Sequence, residues 1–327
     1  MKQEYADSSS EIIRQFLLYL QTITGKSPNT VDEYFIDLRT FFRFIKRHKK
    51  LVDPDIPFEK ISIDDVDIDM IKKITLLDAY EFLNYTLNDR DNNANTRARK
   101  CSSIKSFFNY LHKKVGLLSE NPMSDLEMPK TRKSLPKYLT LEQSFELLQA
   151  VDGPYKERDF CILVLFLNCG MRLSELVSLN LSDIKKNDNT ITITGKGNKQ
   201  RIIYLNQACT DAIENYLEVR PTDGGVKDKN ALFLSRLNKR ISPKTVQHMV
   251  YKYLEAIGLD SEGYSVHKLR HTAATLMYQY GNVDIRILKD ILGHSNLGTT
   301  EIYTHLSSEQ MEKAVNKNPL SRIKPPK

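Results

Sequence analysis

A chain of 327 residues, 40% of them hydrophobic, can bury a substantial core and is long enough for two domains. It contains no run of about eighteen apolar residues, and its polar start "MKQEYADSSSEIIRQF" lacks the apolar centre of a signal peptide, so the sequence predicts a cytoplasmic protein. A net charge of +7 and a pI near 9.0 suit a polyanionic partner, while four scattered cysteines (Cys101, Cys161, Cys169, Cys209) with no CxxC pair read as reduced packing thiols.

The first part of the chain reads as helices. "SSEIIRQFLLYLQTIT" carries Ile12, Ile13, Phe16, Leu17 and Leu20 at helical spacing, and "SPNTVDEYFIDLRTFFRFIKRH" repeats the pattern through Val31, Phe35, Leu38, Phe42 and Ile45. The acidic, proline-broken stretch from Val52 to Asp69 predicts a long connection with a short helix near its end. "TLLDAYEFLNYTLND" and the basic "NANTRARKCSSIKSFFNYLHKK" supply two more helices, giving a small all-helical domain over 1–120. "SENPMSDLEMPKTRKSLPKYLT" has three prolines and little periodicity, so 121–138 reads as a basic, extended linker.

A second domain is expected over 139–327. "TLEQSFELLQAV" is a helix that Thr140 or a neighbour could cap, and the segment after "PYKERDF" is apolar nearly all round, as a buried helix would be. "NTITITGKGNKQRIIYL" switches to alternation and predicts two strands around "GKGNK", with "ALFLS" as a third. "SPKTVQHMVYKYLEAIG", "SVHKLRHTAATLMYQYG" and "VDIRILKDILGH" are helices ending at or near glycine, followed by a short helix in "GTTEIYTHL" and a tail helix in "SEQMEKAVNK". The fold class is therefore mainly α with a small antiparallel sheet.

Basic residues cluster in "KRHKK" (46–50), "TRARKCSSIK" (96–105) and "PKTRKSLPK" (129–137), a distribution that favours nucleic acid. Four pieces of the second domain carry chemistry: "GMRLSEL", "TGKGNKQR", "HKLRH" and "LGHSNLGTTEIYTH". His267 and His271 have the i, i+4 spacing of a zinc helix, but Arg270 shares their face and neither a paired carboxylate nor a CxxC completes a site. A phosphate fits better. Two arginines can brace its non-bridging oxygens, histidines can donate or shuttle protons, a lysine can protonate a leaving alkoxide and a tyrosine can attack phosphorus. Fixed cations then stabilise the growing charge without a metal.

In this combination and order, the four motifs resemble the tyrosine recombinases, and within them the Xer type, over nearly the whole chain. The resemblance implies a helical, SAM-like core-DNA-binding domain followed by a mostly helical catalytic domain with a small sheet. It places the active-site arginines at Arg172 and Arg270, the hairpin lysine at Lys196, and the acid/base histidine at His267. It places a further phosphate donor at His294, the nucleophile at Tyr303 and an acidic buttress at Glu175. It implies no metal, no nucleotide cofactor and a 3′-phosphotyrosyl DNA intermediate on the way to a Holliday junction. Partners would be a double-stranded recombination site and related subunits, in a homo- or hetero-tetramer that exchanges tail helices. The expected role is resolution of chromosome dimers during segregation. Arg97, Arg99, Lys100 and Lys105 on the basic helix, with Lys130, Arg132 and Lys133 in the linker, are candidates to meet DNA. The segment 52–69 is longer than the resemblance leads one to expect. An integrase of a mobile element would share this chemistry; a non-catalytic DNA-binding protein would have no need of the full set of six.

Overall fold

The computed structural model describes residues 2–130, 137–194, 200–281 and 283–293. The chain divides into two compact units, Met1–Lys133 and Ser134–Lys327, each with its own hydrophobic core.

The first unit contains α1 (Gln3–Asp7), α2 (Glu11–Thr22), α3 (Pro28–His48), α4 (Ile68–Lys72), α5 (Leu76–Asn88) and α6 (Ala94–Tyr110). Ser27 starts α3 by accepting the Thr30 N–H, with Pro28 in the first turn where its missing N–H costs nothing. Thr75 and Asp78 form a reciprocal cap on α5. The core is aromatic: Phe16, Phe41, Phe82 and Phe107 are fully buried, and edge-to-face pairs such as Phe41–Phe82 (5.2 Å) and Phe16–Phe107 (5.3 Å) lock the helices together. Met123 and Leu126 are buried in the same core, so the segment expected to begin a linker at 121 packs onto this unit.

The acidic stretch has a structural role here. Ile61, Ile63 and Val66 are buried, and its carboxylates turn toward α3: Asp65 pairs with Lys46 at 2.7 Å, and Glu59 pairs with Arg43 at 2.9 Å and Arg90 at 3.1 Å. Arg47 donates to the Ile56 carbonyl, and Lys49 pairs with Asp78 on α5 at 2.8 Å. Within "KRHKK", Lys46 and Lys49 are thus answered within their own unit, while Arg47, His48 and Lys50 stay exposed. A second ion cluster joins α3 to α6. Asp37, wholly buried, accepts from Arg99 (2.7 Å), Lys100 (3.2 Å) and Ser103 (2.8 Å). Burial pushes the Asp37 carboxyl above its ordinary pKa, against the pull of Lys100, Ser103 and Arg99.

The second unit runs α7 (Leu141–Gln149), α8 (Lys156–Cys169), α9 (Leu173–Ser178), β1 (Ile184–Lys185), β2 (Thr190–Thr194), β3 (Gln200–Tyr204), α10 (Gln207–Val219), α11 (Pro243–Ala256), α12 (Val266–Gln279) and α13 (Ile285–Leu292). Thr140 caps α7 in a capping box with Gln143. Helix α8 is apolar on nearly every face because it packs against both α10 and α12. The sheet is antiparallel in the order β1-β2-β3, with Ile191 opposite Ile203 and Ile193 opposite Arg201.

The third strand is Ile184–Lys185, not "ALFLS". Ala231, Leu232, Phe233 and Leu234 are buried, but their backbone groups find partners other than a strand ladder. Arg220 donates to the Ala231 and Leu232 carbonyls, Arg158 donates to the Leu234 carbonyl, and the Leu234 N–H donates to the Tyr216 hydroxyl. The two expected helices in "GTTEIYTHL" and "SEQMEKAVNK" lie outside the described residues. No described helix is long and apolar enough to cross a membrane.

Candidate active site

Arg172 is the N-cap of α9, and Glu175 is the third residue of that helix. The short spacing lets the Glu175 carboxylate reach back to accept the Arg172 backbone N–H (2.8 Å) and its Nη1 (2.8 Å) at once. Glu175 is only 3% exposed. Its other partner is Arg201 on β3, a two-pronged pair at 2.7 and 2.9 Å. Burial alone would raise the Glu175 pKa, but the donors from Arg201 and Arg172 overcome it and hold the group at about 2.

Arg270 lies on α12, one turn beyond His267, and is 2% exposed. It donates to the Gly170 carbonyl at the end of α8 and to the Leu292 carbonyl at the end of α13, both at 2.6 Å. Gly170 has φ +58°, and a Cβ there would stand 2.8 Å from the Leu292 side chain; glycine permits both the turn and the close approach.

Three successive carbonyls at the end of α13 are taken by three arginines. Ile291 accepts from Arg201 (3.3 Å), Leu292 from Arg270 (2.6 Å) and Gly293 from Arg172 (3.0 Å). The last carbonyls of a helix have no partner within the helix and carry its negative pole, so guanidinium groups are their natural caps. The next residue in the chain is His294.

A cleft of 410 Å³ opens between α9, α11 and α12, lined by Arg172, His267, Arg270, Tyr251 and Gln247 among others. His267 is exposed at this cleft, and its ring meets His271 edge-on at 4.7 Å. The protein packed around the His267 ring displaces water, and Arg270, Lys268 and Arg172 add positive charge, so its pKa falls below the ordinary histidine value. The neutral imidazole, with one donor and one acceptor nitrogen, is favoured. Arg172, Arg201 and Arg270 carry three charges against the one of Glu175, so this corner suits an anion.

Of the site residues expected from sequence, Arg172, Glu175, His267 and Arg270 come together around this cleft. Lys196, His294 and Tyr303 lie outside the described residues. Arg201 was missed: it shares the inward side of β3 with Ile203, but in the sequence the alternate positions Ile202 and Tyr204 offer the more apolar face.

The candidates for DNA contact divide. Lys100 is 6% exposed and paired with Asp37, so it serves the interior and not a phosphate. Lys105 is engaged by the carbonyls of Ser124 and Leu126, at 3.0 and 2.7 Å. Arg99 stays at the surface while pairing with Glu33 and Asp37, Arg97 is half-buried and Lys130 is exposed. Arg132 and Lys133 lie outside the described residues.

Similarities to known proteins agree with this geometry. The phage integrase family profile matches residues 137–310. The tyrosine recombinase XerC of Caldanaerobacter subterraneus subsp. tengcongensis is 56% identical, over 95% of this chain and 87% of its own. The tyrosine recombinase XerD of Proteus mirabilis is 33% identical, over 94% of this chain and 92% of its own. Among solved structures, XerH recombinase bound to palindromic difH in a post-cleavage complex superposes with a TM-score of 0.68 at 21% identity, covering 93% of this chain and 84% of that one. The Tn1549 transposon integrase reaches 0.67 at 18% identity, covering 94% and 98%; both structural likenesses are of fold. The chain belongs to the phage integrase family and is a tyrosine recombinase of the Xer type, a site-specific enzyme that cuts and rejoins DNA.

Proposed function

We propose that this recombinase performs strand exchange with Tyr303 as its nucleophile. The Tyr303 oxygen attacks a scissile DNA phosphorus, a P–O bond to tyrosine forms and the bond to O5′ breaks. The tyrosine proton passes to His267, and Lys196 protonates the leaving 5′-oxygen. Arg172 and Arg270 hold the non-bridging oxygens, with His294 as a further donor, so that charge growing in the transition state meets fixed cations. The 5′-hydroxyl of a partner duplex then attacks the 3′-phosphotyrosyl link, restores a phosphodiester and releases the tyrosine. The bond energy stays in the covalent link, so no nucleotide is consumed. The observation that carries this reading is the convergence of Arg172, Arg270 and a His267 favoured in its neutral form on one cleft.

In this reading a helical domain and the catalytic domain, joined by a linker ending near 138, clamp a double-stranded site. Arg97, Arg99, Lys130, Arg132 and Lys133 are the DNA-facing candidates that remain. Four subunits, of one or two related kinds, assemble on two sites and exchange tail helices. The biological role is resolution of chromosome dimers in the cytoplasm during segregation, which the likeness to XerC and XerD supports.

The test is Tyr303→Phe on a duplex nicked beside the scissile phosphate, where the cleaved fragment diffuses away and traps the adduct. Wild type should accumulate a covalent protein–DNA complex. Y303F should bind DNA with unchanged affinity and form none. An adduct that persists in the variant sinks the assignment.

A further inference from the structure

We propose that Arg201 is a positioning residue of the cleavage reaction, holding Arg172 in place through Glu175. The proposal rests on the reading above, in which Arg172 braces the scissile phosphate. Arg201 touches two parts of the site and reaches a third through Glu175. Its guanidinium grips the Glu175 carboxylate at 2.7 and 2.9 Å. The same carboxylate fixes both the backbone and the guanidinium of Arg172. Its Nε donates to Ile291 near the end of α13, and a Cβ on Gly293 would stand 3.1 Å from its Cδ and Nη1. Arg201 therefore packs against the same turn that Arg172 caps.

Glu175 alone would be a poor support. A carboxylate 3% exposed and facing one arginine, itself 37% exposed, could swing or take up a proton. Arg201 is 16% exposed, and its planar fork matches both carboxylate oxygens, so it leaves Arg172 one orientation. The strand adds a second link. Arg201 pairs across the sheet with Ile193 on β2, and the chain between these two strands carries Lys196. One side chain thus ties the Arg172 cap, the strand leading from Lys196 and the helix end leading to His294. Misplacing a phosphate-bracing group by about 1 Å is enough to cost on the order of 100-fold in rate.

The test is single-turnover adduct formation on the nicked duplex by the full-length protein, with DNA affinity measured separately. The variants are R201A, R201K, E175Q and R201A/E175Q. R201A should slow cleavage at saturating DNA about 10- to 100-fold while Kd moves less than about threefold. R201K keeps the charge but not the fork and should recover to within about tenfold of wild type. The double variant should be no slower than the slower single one, because both act along one line to Arg172. A wild-type rate in R201A, a loss wholly in Kd, or additive losses in the double variant would each overturn the proposal. Should R201A fail to fold, R201K decides: slowed cleavage at unchanged Kd supports the positioning role, and a wild-type rate overturns it. Failure of the underlying reading looks different. There the wild type forms no adduct, or Y303F still does, and the proposal falls with it.

Discussion

Glu175 is a single carboxylate answering two guanidinium groups, and its ionisation is part of the fold. The group sits at about 2 in the native protein against an ordinary 4.5, so folding favours the charged form. Its contribution, on the order of 3 kcal/mol, is complete above the unfolded value and is lost as pH falls from about 4.5 toward 2. Glu175→Gln has no such proton to take up. In urea titrations from pH 7 down to pH 3.5, the stability gap between wild type and E175Q should therefore narrow as the solution becomes acidic. A gap constant with pH would show that Glu175 is not held ionised. His267 shifts the opposite way in charge terms: its low pKa keeps a neutral ring beside Arg270, Lys268 and Arg172, which is the form the proposed proton transfer from Tyr303 needs.

Helix ends and helix pairs set the next level. The end of α13 is held by arginines from α9, α12 and β3, one carbonyl each, so the segment leading to His294 and Tyr303 departs from a fixed point. In the first unit the corresponding device is the buried Asp37 cluster between α3 and α6. Removing its anion leaves the Lys100 ammonium enclosed without a counter-charge. Asp37→Ala should therefore cost about 3–5 kcal/mol, and adding Lys100→Met should restore most of it. Urea unfolding measures both; a cost below about 1 kcal/mol for D37A would mean that the cluster is not needed for stability.

Across the whole molecule, the 48 lysines and arginines overstate the cations offered to DNA. Lys46, Lys49 and Lys100 are paired with carboxylates of the first unit. The salt dependence of DNA binding reads what remains, since each phosphate neutralised adds about 0.9 to the slope of log K against log salt. Lys130→Ala should reduce that slope by about one, whereas Lys100→Met should leave it unchanged. The reverse pattern would show that the exposed lysine is idle and the buried one opens to the backbone.

The sequence by itself determined most of the described helices, though not α10, together with the β2–β3 pair, the family and four residues of the cleft. Local rules govern these: apolar spacing sets helix faces, Ser27 and Thr140 mark starts, and Arg172 with Glu175, or His267 with Arg270, are one helical turn apart. What it did not determine depended on partners distant in the chain. "ALFLS" is a short apolar run such as a buried strand shows, but the side chains of Arg220, Arg158 and Tyr216 take several of its backbone groups and only isolated bridges form. Lys46, Lys49 and Lys100 read as members of basic clusters until Asp65, Asp78 and Asp37 fold against them. Arg201 passed unnoticed because its role exists only once β3, α9 and α13 meet. Charge in a sequence is a count; whether it faces DNA, an acid or a helix end is decided by which groups the folded chain brings within hydrogen-bond reach.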